Sequence, residues 1–403
     1  MKKRIFIAIH YMEIGGAEIS LVGLLHSLDY TRYDVDLFVY RHVGELMEYI
    51  PSKVNLLPEI GAYAHLECPI KQAVKDGFLS LATARLRAKL RFFAYRKKHN
   101  PSDDFAFHQI LARSTASSLP SLEKFGEYDL AISFLQPHNI VLEKVRAKKK
   151  ICWIHTDYSK VAVDPKMELP VWSGYDHIIS ISDAVTQGFL KVLPSLKDKI
   201  VLMQNILPQK FVEDRSALVP EEEVLTQMPR EDGVVNLLSV GRYSWAKNYD
   251  NVPDICRRIL EKGCRVKWYI IGYGTEEGVI RSKIGECAME GNVILLGKKT
   301  NPYPYIKACD IYVQPSRYEG NSVTVREAQM LRRPVVVTAY PTASSQVVDG
   351  IDGKIVPLDN ESCASGIAEF VKDTGLREKI ERNLSVSSYS NEDQVKTLDT
   401  LID

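Results

Sequence analysis

The chain predicts an α/β protein of two doubly wound, Rossmann-like domains, and three observations carry that expectation. At 403 residues it is too long for one ordinary core, so two domains are expected. Short β-branched runs alternate with helical patterns through both halves. Those runs are close to continuously apolar, the pattern of parallel strands covered by helices on both faces.

In the first half the expected strands are RIFIAI (4–9), VDLFVY (35–40), LAISF (130–134), ICWIH (151–155) and HIISIS (177–182). In the second they are VNLLSVG (235–241), VKWYIIG (266–272), VILLG (293–297), DIYVQP (310–315) and PVVVT (334–338). Prolines and acids interrupt the pattern at 202–224, which places the link there. The last stretch, YSNEDQVKTLDTLID, offers Ser390 as an N-cap and Val395, Leu398 and Leu401 at helical spacing. A final helix this far past the last strand is expected to pack back on the first domain. The expected division is 1–205, 206–385 and 386–403.

The charge balance excludes some function classes. A net charge of +1 gives no case for nucleic acid as a partner. Seven scattered cysteines without a CxxC pair read as reduced thiols, not as a disulfide frame or zinc site. The opening MKKRIFIAIHYMEIGG imitates a signal peptide, but its apolar run stops at His10 and a glycine loop follows, which suits a first strand. No stretch reaches the ~18 apolar residues of a membrane span. The expected location is cytoplasmic.

Ligands of open parallel sheets sit beyond the carboxyl ends of the strands, so the loops there are where chemistry is sought. After the first strand, Gly15-Gly16 lets backbone approach a ligand at the start of a helix, or simply makes a tight turn. His155 ends ICWIH, where an imidazole can reach a substrate. VGRYSWAKN sets Arg242 and Lys247 just past a strand end, a pair suited to a pyrophosphate or, alternatively, a solvated loop pair. IIGYG and LLGKK give further strand-then-glycine turns. In YEGNSVTVREAQM two glutamates, Glu319 and Glu327, flank a strand-to-helix junction. Unpaired first-turn amides at Asn321, Ser322 and Val323 suit a phosphate there, whereas carboxylates repel one. The glutamates must then face neutral donors such as sugar hydroxyls. The alternative is that Glu319 caps the helix and Glu327 pairs with Arg317 or Arg326.

Gly15-Gly16-Ala17-Glu18, Ser182, Asn205, VGRYSWAKN, IIGYG, LLG, YVQPSRYEG and Glu327 occur in the order of glycosyltransferase family 4, and the chain resembles that family. The second half matches almost continuously from about 235 to 358, the first at its glycine loop and a few strand ends. The resemblance implies a GT-B fold, two Rossmann-like domains facing across a cleft with the C-terminal helix packed on the first domain. It implies a retaining, metal-independent hexosyltransferase without cofactor, working in capsular or exopolysaccharide, O-antigen or glycolipid synthesis. The donor would be a UDP- or GDP-linked sugar and the acceptor a saccharide or lipid-linked saccharide. By position, Arg242 and Lys247 would hold the diphosphate, Glu319 the donor sugar and Glu327 the ribose. Gly15, Gly16, Gly241 and Gly272 would line the donor site, with the amides of Asn321, Ser322 and Val323 near the phosphate and His155 close to the sugar. The run Asn321-Ser322-Val323-Thr324 departs from the aromatic and glycines of many relatives.

Two further segments carry competing readings. Asp34-Val35-Asp36 imitates a metal-binding DxD but lies inside an alternating strand. Residues 71–98 hold nine Lys or Arg against one Asp, with Leu79, Ala82, Leu86, Leu90 and Phe93 in a helical stripe. That helix suits an anionic membrane surface, or else packs its stripe on its own domain. A non-catalytic nucleotide-sugar binder is the second functional reading. A nicotinamide dehydrogenase is disfavoured because neither half opens with GxGxxG followed by an acid ~20 residues on.

Overall fold

The computed structural model describes residues 2–101, 103–156, 158–320 and 322–402, with only the backbone at Lys160. The chain divides into two compact units, Met1–Leu207 with Asn391–Asp403, and Pro208–Ser390.

The first unit holds β1 (Lys3–Ile9), β2 (Tyr33–Val39), β3 (Asn55–Leu56), β4 (Glu127–Ser133), β5 (Arg146–Ile154), β6 (His177–Ser180) and β7 (Ile200–Leu202). They pair in parallel in the order β3-β2-β1-β4-β5-β6-β7. The second unit holds β8 (Val235–Val240), β9 (Val266–Ile271), β10 (Val293–Gly297), β11 (Ile311–Gln314), β12 (Val335–Thr338) and β13 (Lys354–Val356). Its parallel order is β10-β9-β8-β11-β12-β13. Both sheets are doubly wound, as expected, because each central strand is apolar on both faces: Ile5 through Ile9 are fully buried, as are Leu237 and Leu238. Each such isoleucine, leucine or phenylalanine contributes about 1.5–3 kcal/mol by leaving water.

In each sheet the strand order reverses next to the first strand, between β1 and β4 and between β8 and β11. Loops leaving the carboxyl ends of those pairs diverge to opposite faces and leave a crevice. His10 and Gln136 follow β1 and β4; Arg242 and Glu319 follow β8 and β11.

The stretch expected as a link is mostly ordered structure of the second unit. Gln209–Ser216 and Glu221–Gln227 are helices, and Pro208 and Pro220 stand at their N-cap positions. Proline starts these helices instead of breaking them, and Glu221, Glu222 and Glu223 favour the positive end of the second.

The final helix is shorter than expected. A 3₁₀ turn, Glu392–Val395, precedes the helix Lys396–Ile402, so Ser390 caps neither. Asn391 ties this tail into the first unit, accepting from the Leu207 amide at 3.0 Å and donating to the Asn205 carbonyl at 2.7 Å. Asp399 accepts from Tyr33 and Arg32, and Leu398 is fully buried.

Candidate functional site

In the second unit, two loops 72 residues apart are clamped together at the β8/β11 switch point. The turn Trp245–Lys247 follows β8, and Asn248 ends it in the left-handed region at φ 61°. The Asn248 side chain donates to the Pro315 carbonyl at 2.9 Å. Arg317 grips Asp250 through both guanidinium nitrogens, at 2.8 and 2.7 Å, and donates to the Trp245 carbonyl at 2.6 Å. This scaffold brings Lys247 Nζ to 2.6 Å from Glu319 Oε1.

Glu319 Oε1 also accepts from Ser316 Oγ at 2.5 Å and from Gln314 Nε2 at 3.0 Å. Oε1 is therefore saturated, and Oε2 makes no hydrogen bond among the described residues. Lys247 has three N–H donors and gives one to Glu319, which leaves two. Arg242 is exposed and makes no hydrogen bond or ion pair among the described residues. Two spare ammonium donors thus stand beside an immobilised carboxylate, and an exposed guanidinium without a partner among the described residues leaves the same strand end.

Glu327 lies on the helix Val323–Met330, only 1% exposed, and accepts from Tyr303 Oη at 2.8 Å. Burial pushes its pKa up to about 7, against the opposing pull of the Tyr303 hydroxyl and the Arg215 charge. Neither glutamate takes the alternative role weighed above. The helix has no side-chain cap, and Arg317 pairs with Asp250 instead. The junction tolerates two carboxylates because Lys247 balances one and burial raises the pKa of the other to about 7, so that it carries only part of its charge at neutral pH.

The amide of Ser322, expected to be open, donates to Gln346 Oε1 at 2.9 Å, while Gln346 Nε2 donates to the Ser322 carbonyl at 3.0 Å. A side-chain amide matches both backbone groups at once, so Gln346 closes this donor. Val323 starts the helix and keeps its first-turn position; Asn321 lies outside the described residues. Gly241 and Gly272 have packing reasons of their own. A Cβ on Gly272 would stand 2.0 Å from the Gly241 carbonyl oxygen, and one on Gly241 2.8 Å from Tyr249 Oη.

In the first unit, Gly15 and Gly16 open the helix Gly16–Ser27, which has no side-chain cap. A Cβ on Gly16 would meet nothing within 4 Å, so packing does not require glycine there. His155 follows β5 and lines a cavity of about 270 Å³ with His10, Phe105, His108, Gln136 and Trp153. Its Nε2 is buried without a hydrogen-bond partner among the described residues, and burial lowers its pKa to about 3. The imidazole is therefore neutral at physiological pH, with one polar atom unused.

Sequence reasoning missed Gln314, Ser316, Tyr303 and Gln346, which hold the glutamates and the junction. Gln314 was the readable signal: a fully buried polar residue in an apolar strand needs partners. It also missed Glu168, whose pKa burial raises to about 7 and which accepts from Trp172 Nε1 at 2.6 Å beside the cavity. The Asp34/Asp36 pair is structural, since Asp36 accepts from Arg4, Asn55 and Tyr128 within the sheet and Asp34 pairs with Lys2. Ser182 and Asn205, both motif positions, cap a helix and accept from Ser20 respectively.

A strand-end lysine held 2.6 Å from a glutamate, with an exposed arginine in the same loop, is the arrangement that known proteins can be set beside. Residues 222–385 match the family described as "Glycosyl transferases group 1". A capsular polysaccharide biosynthesis glycosyltransferase, CapM of Staphylococcus aureus, is 28% identical over 213 residues, 51% of this chain and 55% of that one. An N-acetylgalactosaminyltransferase acting on a diphospho-undecaprenol saccharide in Campylobacter jejuni is 30% identical over 213 residues, 51% of this chain and 57% of that one. The chain spans about half the length of these relatives. Among solved structures, Anabaena HepE with UDP and glucose superposes with TM-score 0.67 at 16% identity, covering 99% of each chain. S. aureus TarM gives TM-score 0.65 at 14% identity, covering 100% of this chain and 99% of that one. These likenesses establish the GT-B class of two parallel-sheet, Rossmann-like domains.

Proposed function

We propose that the chain is a retaining glycosyltransferase of the family 4 type, moving a sugar from a UDP- or GDP-linked donor to an acceptor hydroxyl. The observation that carries this reading is the β8/β11 junction, where Lys247 lies 2.6 Å from Glu319 and Arg242 leaves the same strand end as Lys247. A diphosphate would take Arg242 and the two spare donors of Lys247, and Glu319 Oε2 would accept from hydroxyls of the donor sugar. Glu327 would accept from the ribose. In the reaction the bond from the anomeric carbon to the diphosphate oxygen breaks, and a bond to the acceptor oxygen forms on the same face. The acceptor proton passes to a phosphate oxygen of the leaving group. The transition state places negative charge on the diphosphate, so the two cations provide the main stabilisation without a metal ion.

The 270 Å³ cavity of the first unit suits a saccharide acceptor. Trp153 and Phe105 offer flat apolar faces, and Gln136 and the unpartnered His155 Nε2 offer hydrogen bonds. Neutral His155 would orient a hydroxyl, since it carries no charge to give. The seven free thiols, five of them buried, fit a reducing cytoplasmic setting. The activities for which CapM and the Campylobacter enzyme are named support polysaccharide or lipid-linked glycan synthesis as the pathway class.

The test is a panel of UDP- and GDP-sugars assayed for nucleoside diphosphate release with and without lipid-linked acceptors. Acceptor-dependent release with retained anomeric configuration is the expected result. Binding of a nucleotide sugar without release under any acceptor would favour a non-catalytic binder.

A further inference from the structure

The helix Leu79–His99 carries two opposite apolar stripes, and among the described residues only one of them has a partner. Leu81, Ala84, Arg85 and Ala88 are buried, and Phe92 meets Phe107 of the neighbouring helix Phe105–Thr115 with ring centroids 5.3 Å apart. On the far side Leu79, Leu86, Leu90 and Phe93 are 60, 53, 65 and 73% exposed. Spacings of seven, four and three residues put these four on one narrow line of a 3.6-residue helix. These four large members of the expected stripe therefore do not pack on their own domain, whereas Ala82, at its edge, is buried. Leaving four large apolar side chains in a row in water is unfavourable unless something covers them.

The flanks say what covers them. Lys89 and Arg96 border the stripe on one side; Arg87, Arg91 and Lys98 border it on the other, with Lys97 at its end, and all are exposed. Arg87, Lys89, Lys97 and Lys98 have no acidic partner among the described residues. Asp76 is the one acid between Lys71 and Lys98 in a chain whose net charge is only +1, so the positive charge is concentrated here. A second copy docking stripe to stripe would set these cations against each other.

We infer that this outer face docks the protein on an anionic lipid surface, the apolar line entering the acyl boundary and the cations meeting headgroup phosphates. No helix among the described residues is long and apolar enough to cross a membrane, so the contact is peripheral. The helix Phe105–Thr115 beneath it contributes Phe105, His108 and Leu111 to the cavity wall, so a membrane-borne saccharide would be presented beside the proposed acceptor cavity. That last link rests on the transferase reading; the docking surface does not.

The experiment is flotation of the full chain with phosphatidylcholine vesicles with or without phosphatidylglycerol, at low and high salt. Retention is expected on the anionic vesicles at low salt, with release at high salt. Leu90→Gln/Phe93→Gln should lower partitioning by about tenfold or more, and Lys97→Gln/Lys98→Gln by roughly fivefold per cation. Both pairs are exposed, so the unfolding midpoint should not move. Equal binding to uncharged vesicles, no binding at all, or unchanged binding by Leu90→Gln/Phe93→Gln would overturn the inference. So would a dimer seen by sedimentation velocity that this variant disperses, which would assign the face to self-association. UDP and GDP binding on the same preparations reports on the second unit and fails or holds independently.

Discussion

Replacing Lys247 by Met tests the junction most directly, because it removes a charge while keeping the stem's bulk. With 2.6 Å between Nζ and Oε1, the attraction is roughly 6 kcal/mol at an effective dielectric of about 20. Both side chains are mostly covered, at 20 and 11% exposure, so desolvation offsets much of that. The net contribution of such a charge-assisted bond is about 1.5–3 kcal/mol. In the variant, Ser316 and Gln314 would still hold the Glu319 carboxylate in place, now without its cation. Lys247→Met should therefore lose about 2 kcal/mol, or about 4–8 °C in the midpoint of the second unit's melting. Glu319→Gln added to it removes the stranded charge and should recover at least half of the loss. Turnover should behave differently. Lys247→Met should fall by ~10²–10³-fold if the cation stabilises the leaving diphosphate, and the double variant should stay as low. Thermal melts and diphosphate release at saturating donor read the two effects separately. A double variant that regains turnover would reduce Lys247 to a counterion for Glu319. Near-normal turnover in the single variant would reject the leaving-group role altogether.

Glu327 carries a pH signature. Its folded pKa of about 7 lies above the unfolded value of 4.5, so the folded state binds more protons between those limits. Stability therefore declines as pH rises from 4.5 to about 7, by on the order of 3 kcal/mol from this residue. Glu327→Gln should flatten that part of the slope in urea titrations at pH 5 and pH 8, and an unaltered slope would refute the burial argument. Gly272→Ala should destabilise by ~2 kcal/mol or more, since the added methyl overlaps the Gly241 carbonyl. Gly16→Ala meets open space and should leave the melting point unchanged or slightly higher, so its effect on donor affinity isolates ligand approach. His155→Leu removes a buried nitrogen with no partner among the described residues and should not lower stability at neutral pH, while acceptor use should drop. The imidazole's pKa, lowered from 6.5 to about 3, also makes the wild type lose stability as pH falls through that interval; His155→Leu should lose less.

Much of the fold was legible because burial on both faces writes itself into composition. All ten expected strands are present, most within a residue or two of their expected ends. The short strands β3, β7 and β13, of two or three residues, left no run long enough to read. The 202–224 stretch misled because proline reads as a breaker in sequence, while at an N-cap it begins a helix. Arg242, Lys247 and Glu319 were readable as types at strand ends. Their clamp was not, since Arg317–Asp250 and Asn248–Pro315 join residues 67 positions apart.

The sequence alone determined two parallel sheets, the strand ends that matter and the residue types placed there, because hydrophobic periodicity is local. Only the tertiary structure decided that Lys247 neutralises Glu319, that Glu327 is buried against Tyr303, and that Gln346 closes the Ser322 amide. It also decided which apolar stripe of Leu79–His99 faces outward, since opposite stripes on one helix are equivalent until one of them finds a neighbour. Charge state and exposure depend on what packs around a group, and those neighbours come from far along the chain.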